Sequence, residues 1–101
     1  EIVRSHDTTA GYYGHASVGC LHIRPLIDLS RQDGVERMVS IAAQVSDLVL
    51  EFGGAMSGEH GDGLVRSVWL EKMFGPQLYQ AFREVKGAFD PQGIMNPGKV
   101  V

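Results

Sequence analysis

Four side chains in two groups offer most of the chemistry in this sequence. His15 and His22 stand seven residues apart with Gly14 and Gly19 close to them, and Glu59-His60 lies in a stretch that holds five glycines between positions 53 and 63. Imidazole is the commonest protein ligand for zinc and similar divalent ions. A carboxylate beside two imidazoles gives a ligand set with open positions, as in a catalytic rather than a closed structural metal site. On one straight strand His15 and His22 would be about 23 Å apart and on opposite faces. They can share an ion only if the chain turns between Ala16 and Gly19, which the glycines permit. Consecutive residues of an extended segment point opposite ways, so Glu59 could face a metal while His60 faces a substrate. The spacing leaves open the blander reading of hydrogen-bonded core histidines and a solvated Glu-His turn.

These side chains need elements to hold them. Val35, Met38, Ala42, Val45, Val49 and Phe52 recur at alternating steps of three and four, which predicts a helix over 31–52. Ser30 and Asp33 would form its capping box and Gly53-Gly54 its end. Val18 to Arg24 reads as a strand stopped by Pro25, with Cys20, His22 and Arg24 on one face and Leu21 and Ile23 on the other. A short strand is expected near Ala55–Ser57, a helix over 64–73 ended by Gly75-Pro76, and a helix over 77–88 stopped by Asp90-Pro91. The expected fold class is α+β, an antiparallel sheet packed with helices. Two short strands make a poor sheet alone, so further strands from the same polypeptide or from a second copy of the chain are expected, and with them self-association.

Composition narrows the functional classes. The chain has 101 residues, a formal net charge of −3, 44% hydrophobic and 21% charged residues and one cysteine, the profile of one small globular domain. A single cysteine forms no internal disulfide or cysteine-rich zinc finger, which points to a reducing, cytoplasmic setting. There is no apolar run of the roughly 20 residues a membrane span needs. Nine Lys and Arg scattered among twelve Asp and Glu form no nucleic-acid footprint. The start at Glu1 and the stop at Gly98-Lys99-Val100-Val101 suggest a fragment of a longer polypeptide, with a processed small protein as the alternative. No dinucleotide-binding fingerprint occurs, so this chain alone is expected to bind a dinucleotide cofactor weakly or not at all.

Three segments together resemble a known family. Tyr13-Gly14-His15-Ala16-Ser17-Val18-Gly19-Cys20-Leu21-His22, then Ser57-Gly58-Glu59-His60-Gly61-Asp62-Gly63, then Phe89-Asp90-Pro91-Gln92-Gly93-Ile94-Met95-Asn96-Pro97-Gly98-Lys99 are similar to successive signatures of the C-terminal cap domain of FAD-linked oxidases. These flavoenzymes of the vanillyl-alcohol-oxidase type include glycolate oxidase, D-lactate dehydrogenase and D-2-hydroxyglutarate dehydrogenase. The resemblance runs through the whole chain in order and is closest to large members fused to an iron–sulfur domain. It implies a partial cap domain of ferredoxin-like type, FAD held by a separate domain of the same polypeptide, and an iron–sulfur cluster in a downstream domain. It further implies a divalent metal, zinc or manganese, on His15, His22 and Glu59, with His60 meeting the substrate. The usual first signature reads Gly-His-x-Gly-Asp-Gly-Asn-x-His, whereas Ala-Ser-Val-Gly-Cys fills its middle here, with both histidines keeping their spacing. Where the hydroxyglutarate enzymes carry a substrate-contacting Asn, Arg24 stands, and its guanidinium offers a bidentate grip on a carboxylate.

Asn96 matches the family's near-terminal Asn, on the flavin side, although an Asn-Pro turn former is an equally good local reading. Arg66 follows the glycine loop closely enough to reach the same pocket, or is a solvated helix arginine. Cys20 reads as a small buried residue or as a soft neighbour of the metal. Tyr12, Tyr13, Trp69 and Phe74 read as core or interface aromatics, and the sequence names no partner for His6. The expected parent is therefore an FAD-dependent enzyme oxidising a D-2-hydroxy acid to the 2-oxo acid, cytoplasmic or peripheral to the inner membrane. A stand-alone metal hydrolase and a non-catalytic interaction module are the alternatives from other classes.

Overall fold

The computed structural model describes all of residues 1–101, which divide into two compact units, Glu1–Glu59 and His60–Val101. The first unit runs from a single-turn helix α1 (Ile2–Ser5) through a hairpin of β1 (Ala10–His15) and β2 (Cys20–Pro25) to a long helix α2 (Gln32–Glu51). The second holds a short helix α3 (Gly63–Ser67) and a longer α4 (Leu70–Phe89). The fold class is α+β. No helix is long and apolar enough to cross a membrane.

The sheet has two strands, but one of them is not the one expected. Residues 55–57 are irregular, and β1 at Ala10–His15 pairs antiparallel with β2 instead, from Ala10↔Pro25 to His15↔Cys20. The sequence Ala-Gly-Tyr-Tyr-Gly-His has no apolar and polar alternation to announce a strand, because two of its six positions are glycines. What makes it a strand is β2 lying across from it, which satisfies its backbone groups. A 3₁₀ turn at Ala16–Val18 reverses the chain and ends at Gly19 with φ +63°, a left-handed value that glycine adopts without steric cost. Gly14 meets a different need. A Cβ built there would lie 2.5 Å from the Cys20 carbonyl oxygen, so the strands approach beside His15 only because position 14 has no side chain.

The polar and apolar faces of β2 separate as its alternation requires. Ile23 and Pro25 join Met38, Ile41, Ala42 and Val45 of α2 in lining an apolar cavity of about 280 Å³. Helix α2 starts at Gln32 and stops at Glu51, and Phe52, beyond its end, is 79% exposed and leaves the apolar stripe. The expected capping box does not form. Ser30 turns its N–H and hydroxyl to Asp28 Oδ1 at 3.0 and 2.6 Å, and Asp33 accepts from Arg31 Nε at 2.9 Å. The Asp28 carboxylate is the nearer acceptor and closes an Asx-type turn before the helix begins. The Ser30 hydroxyl, followed by its N–H, holds the Asp28 carboxyl below its ordinary value. His6, unpartnered in the sequence reading, ties α1 to α2: Nδ1 lies 2.8 Å from the Ile2 carbonyl oxygen and Nε2 2.8 Å from Ser40 Oγ.

In the second unit the helix expected over 64–73 is split, with α3 stopping at Ser67 and α4 starting at Leu70. Helix α4 itself breaks at Gly75, whose φ of +79° and ψ of 163° are not helical. Pro76, next in the chain, has no N–H to give and crowds the preceding turn. Phe74 and Phe82 meet edge to face across this break at 5.5 Å. Beyond α4 the buried Asp90 carboxylate accepts the N–H groups of Ile94 and Met95, each at 2.9 Å, and the Lys86 ammonium. That ammonium is the largest influence holding the Asp90 carboxyl below its ordinary value, with the two N–H groups adding to it against the opposing effect of burial.

Candidate metal centre

Register decides which side chains of the hairpin share a face. Tyr13 stands opposite His22 and His15 opposite Cys20, so these four lie on one side of the sheet, and period-two alternation adds Arg24. The Tyr13 ring stacks on His22, centroids 4.6 Å apart and planes at 14°. The Arg24 guanidinium carbon lies 5.0 Å from the centre of the Tyr13 ring. His15 and His22 meet edge to face at 5.1 Å. The seven-residue spacing thus becomes a cross-strand diagonal once the turn at Ala16–Val18 is made.

The glycine loop brings the carboxylate. Gly58 lies against the hairpin, where an added Cβ would sit 3.3 Å from Cys20 Sγ, and the Ser57 hydroxyl donates to the Glu59 carbonyl at 2.6 Å. Glu59 Oε2 is then 3.7 Å from His15 Nε2 and 3.4 Å from His22 Nε2. One ligand atom from each of the three residues lies within 4.8 Å of the other two. With metal–ligand distances of about 2.0–2.2 Å, donors on a tetrahedral zinc are about 3.4 Å apart, so this spacing fits one ion with little rearrangement. Two imidazoles and a carboxylate suit zinc or manganese, and three protein donors leave coordination positions open. The His15 side chain is 51% exposed and those of His22 and Glu59 28% and 30%, so the cluster is open to small molecules on one side.

The structure brings His15, His22 and Glu59 together, with Arg24 on the same strand face. The other predicted site residues, His60, Arg66 and Asn96, belong to the second unit. His60 is exposed and takes a left-handed φ of +59°, uncommon outside glycine. Arg66 lies in α3 and its guanidinium donates to the Asp62 carbonyl at 3.3 Å. Asn96 is exposed with φ +52°, which its short polar side chain tolerates. Sequence reasoning missed Tyr13 as part of the cluster. The signal was its place two residues before His15, which a strand over 10–15 converts into a shared face. Cys20 is half-buried, with Sγ 3.8 Å from His22 Nε2.

An α+β domain whose hairpin and glycine loop converge two imidazoles and a carboxylate defines a class of candidate metal-binding domains. The comparison with known proteins is more particular: residues 1–100 match the C-terminal domain of FAD-linked oxidases, and the chain belongs to that family. It is 39% identical to D-2-hydroxyglutarate dehydrogenase of Haemophilus influenzae over 98% of this chain and 10% of that protein. It is 40% identical to D-lactate dehydrogenase of Archaeoglobus fulgidus over 100% of this chain and 22% of that protein. The glycolate oxidase subunit GlcD of Bacillus subtilis is 34% identical, over 99% of this chain and 21% of the subunit. The chain therefore spans between about a tenth and a fifth of the length of these relatives.

Proposed function

We propose that the polypeptide carrying this chain is an FAD-dependent oxidoreductase that oxidises a D-2-hydroxy acid of the 2-hydroxyglutarate or lactate/glycolate class to the 2-oxo acid. Residues 1–101 are the C-terminal segment of its substrate domain, and the FAD-binding domain is another part of the same polypeptide. The observation that carries this reading is the approach of the His15, His22 and Glu59 ligand atoms to within 4.8 Å in a chain of this family. His15, His22 and Glu59 would hold zinc or manganese. When bound, the metal supplies Lewis-acid stabilisation of charge on the hydroxyl and carboxylate oxygens, and the flavin supplies the hydride acceptor.

The chain's own residues do the rest. His60 accepts the hydroxyl proton on an imidazole nitrogen as the C2 hydrogen leaves as hydride. Arg24 and Arg66 bind substrate carboxylate, for which a guanidinium fork is suited. Tyr13 steadies the His22 ring through their stack. Asn96 contributes on the flavin side. The full polypeptide carries an iron–sulfur cluster in a downstream domain and works in the cytoplasm or at the inner-membrane surface, and the 101-residue chain on its own self-associates through the sheet edge and apolar surface it leaves uncovered. The test is anaerobic mixing of the purified full-length protein with D-2-hydroxyglutarate, D-lactate and glycolate. The oxidised flavin band bleaches with at least one of them, and failure to bleach with any of the three and their close analogues refutes the reading.

A further inference from the structure

We propose that Gly11, Tyr13 and Arg24 form a subsite for a second, distal carboxylate, which makes the substrate a five-carbon 2-hydroxy diacid rather than a short hydroxy acid. The inference rests on the hydroxy acid reading above and deepens it by naming the end of the substrate that His15, His22 and Glu59 do not hold.

The hairpin register lays the side chains of this face in rows. His22 stands opposite Tyr13, and the next row on the same face, two residues along each strand, is Arg24 opposite Gly11. Glycine leaves one place of that row without a side chain. The Arg24 guanidinium carbon lies 5.0 Å from the centre of the Tyr13 ring, and a guanidinium over an aromatic face is held in orientation while its N–H edges stay free. Arg24 is exposed, and no carboxylate, carbonyl or hydroxyl of the chain accepts a hydrogen bond from it. The ring that supports it is the one stacked on His22 at 4.6 Å, so a single side chain ties the cation to the metal-site imidazole.

Nothing within the chain requires glycine at position 11. Its φ is outside the left-handed region, the ladder runs from Ala10↔Pro25 to His15↔Cys20 without a bulge, and a Cβ there would meet no atom within 4 Å. Gly14 in the same strand is different, because the Cys20 carbonyl crowds it. A strand glycine that serves neither a bulge nor internal packing marks the close approach of a ligand or of another segment. The open place lies beside an unpaired cation, which favours an anion as the group that approaches, and a guanidinium takes a carboxylate through two parallel N–H···O bonds. Two strand residues advance about 7 Å, roughly the reach of a five-carbon diacid from its hydroxyl end to its far carboxylate. A three-carbon acid held at the histidine row ends short of Arg24.

The experiment is calorimetric titration of the oxidised full-length protein with three 2-oxo acids, which bind without turnover: 2-oxoglutarate, 2-oxopentanoate and pyruvate. In wild type 2-oxoglutarate binds about tenfold to a hundredfold tighter than 2-oxopentanoate, which has the same chain length and no distal charge. Arg24→Gln abolishes that advantage. Gly11→Val, and to a smaller extent Gly11→Ala, weakens both five-carbon acids relative to pyruvate. An advantage absent from wild type, or one that survives Arg24→Gln, overturns the subsite. Equal weakening of all three acids by Arg24→Gln assigns the guanidinium to an acidic side chain elsewhere in the polypeptide and overturns it too, and equal weakening of all three by the Gly11 variants does the same for the open place. Each of these leaves the hydroxy acid reading standing where D-2-hydroxy acids bleach the flavin, whereas no binding together with no bleaching overturns both.

Discussion

Replacing Gly14 by alanine tests whether the close approach of the two strands is what holds the histidines in register. The new Cβ would lie 2.5 Å from the Cys20 carbonyl oxygen and 3.6 Å from the Cys20 carbonyl carbon and Leu21 Cα. All three obstacles are backbone, so no side chain can swing aside. Ordinary contact starts near 3.4 Å, and the strands must open by about 0.9 Å beside His15 to accept the methyl. Overpacking of this kind costs about 1–3 kcal/mol. A central value of about 2 kcal/mol corresponds to about thirtyfold faster opening-limited exchange. The assay is amide hydrogen exchange of peptides covering 10–25 in the full-length polypeptide, with Gly11→Ala as the control. Gly11 sits in the same strand with nothing within 4 Å of its missing Cβ, so alanine there is neutral or slightly stabilising. Equal exchange in Gly14→Ala and wild type, or equal acceleration in both variants, would show that the missing Cβ at position 14 does not set the strand spacing.

Other expectations concern the stack and the C-terminal turn. Tyr13→Ala removes a ring stacked on His22 at 4.6 Å but 44% exposed. Zinc affinity should fall by the lower part of an aromatic pair's value, about 0.5–1 kcal/mol or two- to fivefold, while Tyr13→Phe keeps it; titration of zinc into metal-free protein measures this, and equal losses in the two variants would show that the ring face is not responsible. Because the Asp90 carboxyl is held below its ordinary value by Lys86, its stabilising effect is complete above the unfolded carboxylate value of about 3.9 and disappears as pH falls through the lower folded value. Amide protection at Ile94 and Met95 should therefore hold from neutrality down to about pH 4 and collapse only below it, and Asp90→Ala should lose it at every pH. Loss that begins well above pH 4 in wild type would contradict the sign of the shift.

The parts of this molecule that were legible are those written in local chemistry. The three-and-four spacing from Val35 to Val49 gave the long helix to within a residue at each end, since a run of that length averages over single exceptions. Phe52 matched the period and failed because the chain turns at Gly53, with φ +65°, and leaves that side chain in solvent. Strand β1 was invisible because its identity is non-local: it is extended by virtue of β2 across from it, and glycines at 11 and 14 erase the pattern. Ser30 was misread as a cap for a similar reason, as Asp28 two residues back competes for the same hydroxyl and wins. The glycines around His15 and His22 did signal a reversal, and a 3₁₀ turn closes at Gly19. Tyr13 and Cys20 joined the histidine face only through register, which no single-strand reading contains.

Metal content beside turnover in wild type, Glu59→Gln and His60→Ala, all three as the purified full-length protein, separates a metal ligand at position 59 from a base at position 60. The assignment of Glu59 as ligand and His60 as base predicts a stoichiometric divalent metal in wild type. Glu59→Gln, which removes a carboxylate 3.4 Å from His22 Nε2 and a charge that offsets the cation, should lose metal and activity together. His60→Ala should keep the metal while kcat falls by about 10²–10⁴, the usual effect of losing a general base. Wild type without stoichiometric metal, unchanged activity in both variants, or equal metal loss in the two would contradict it.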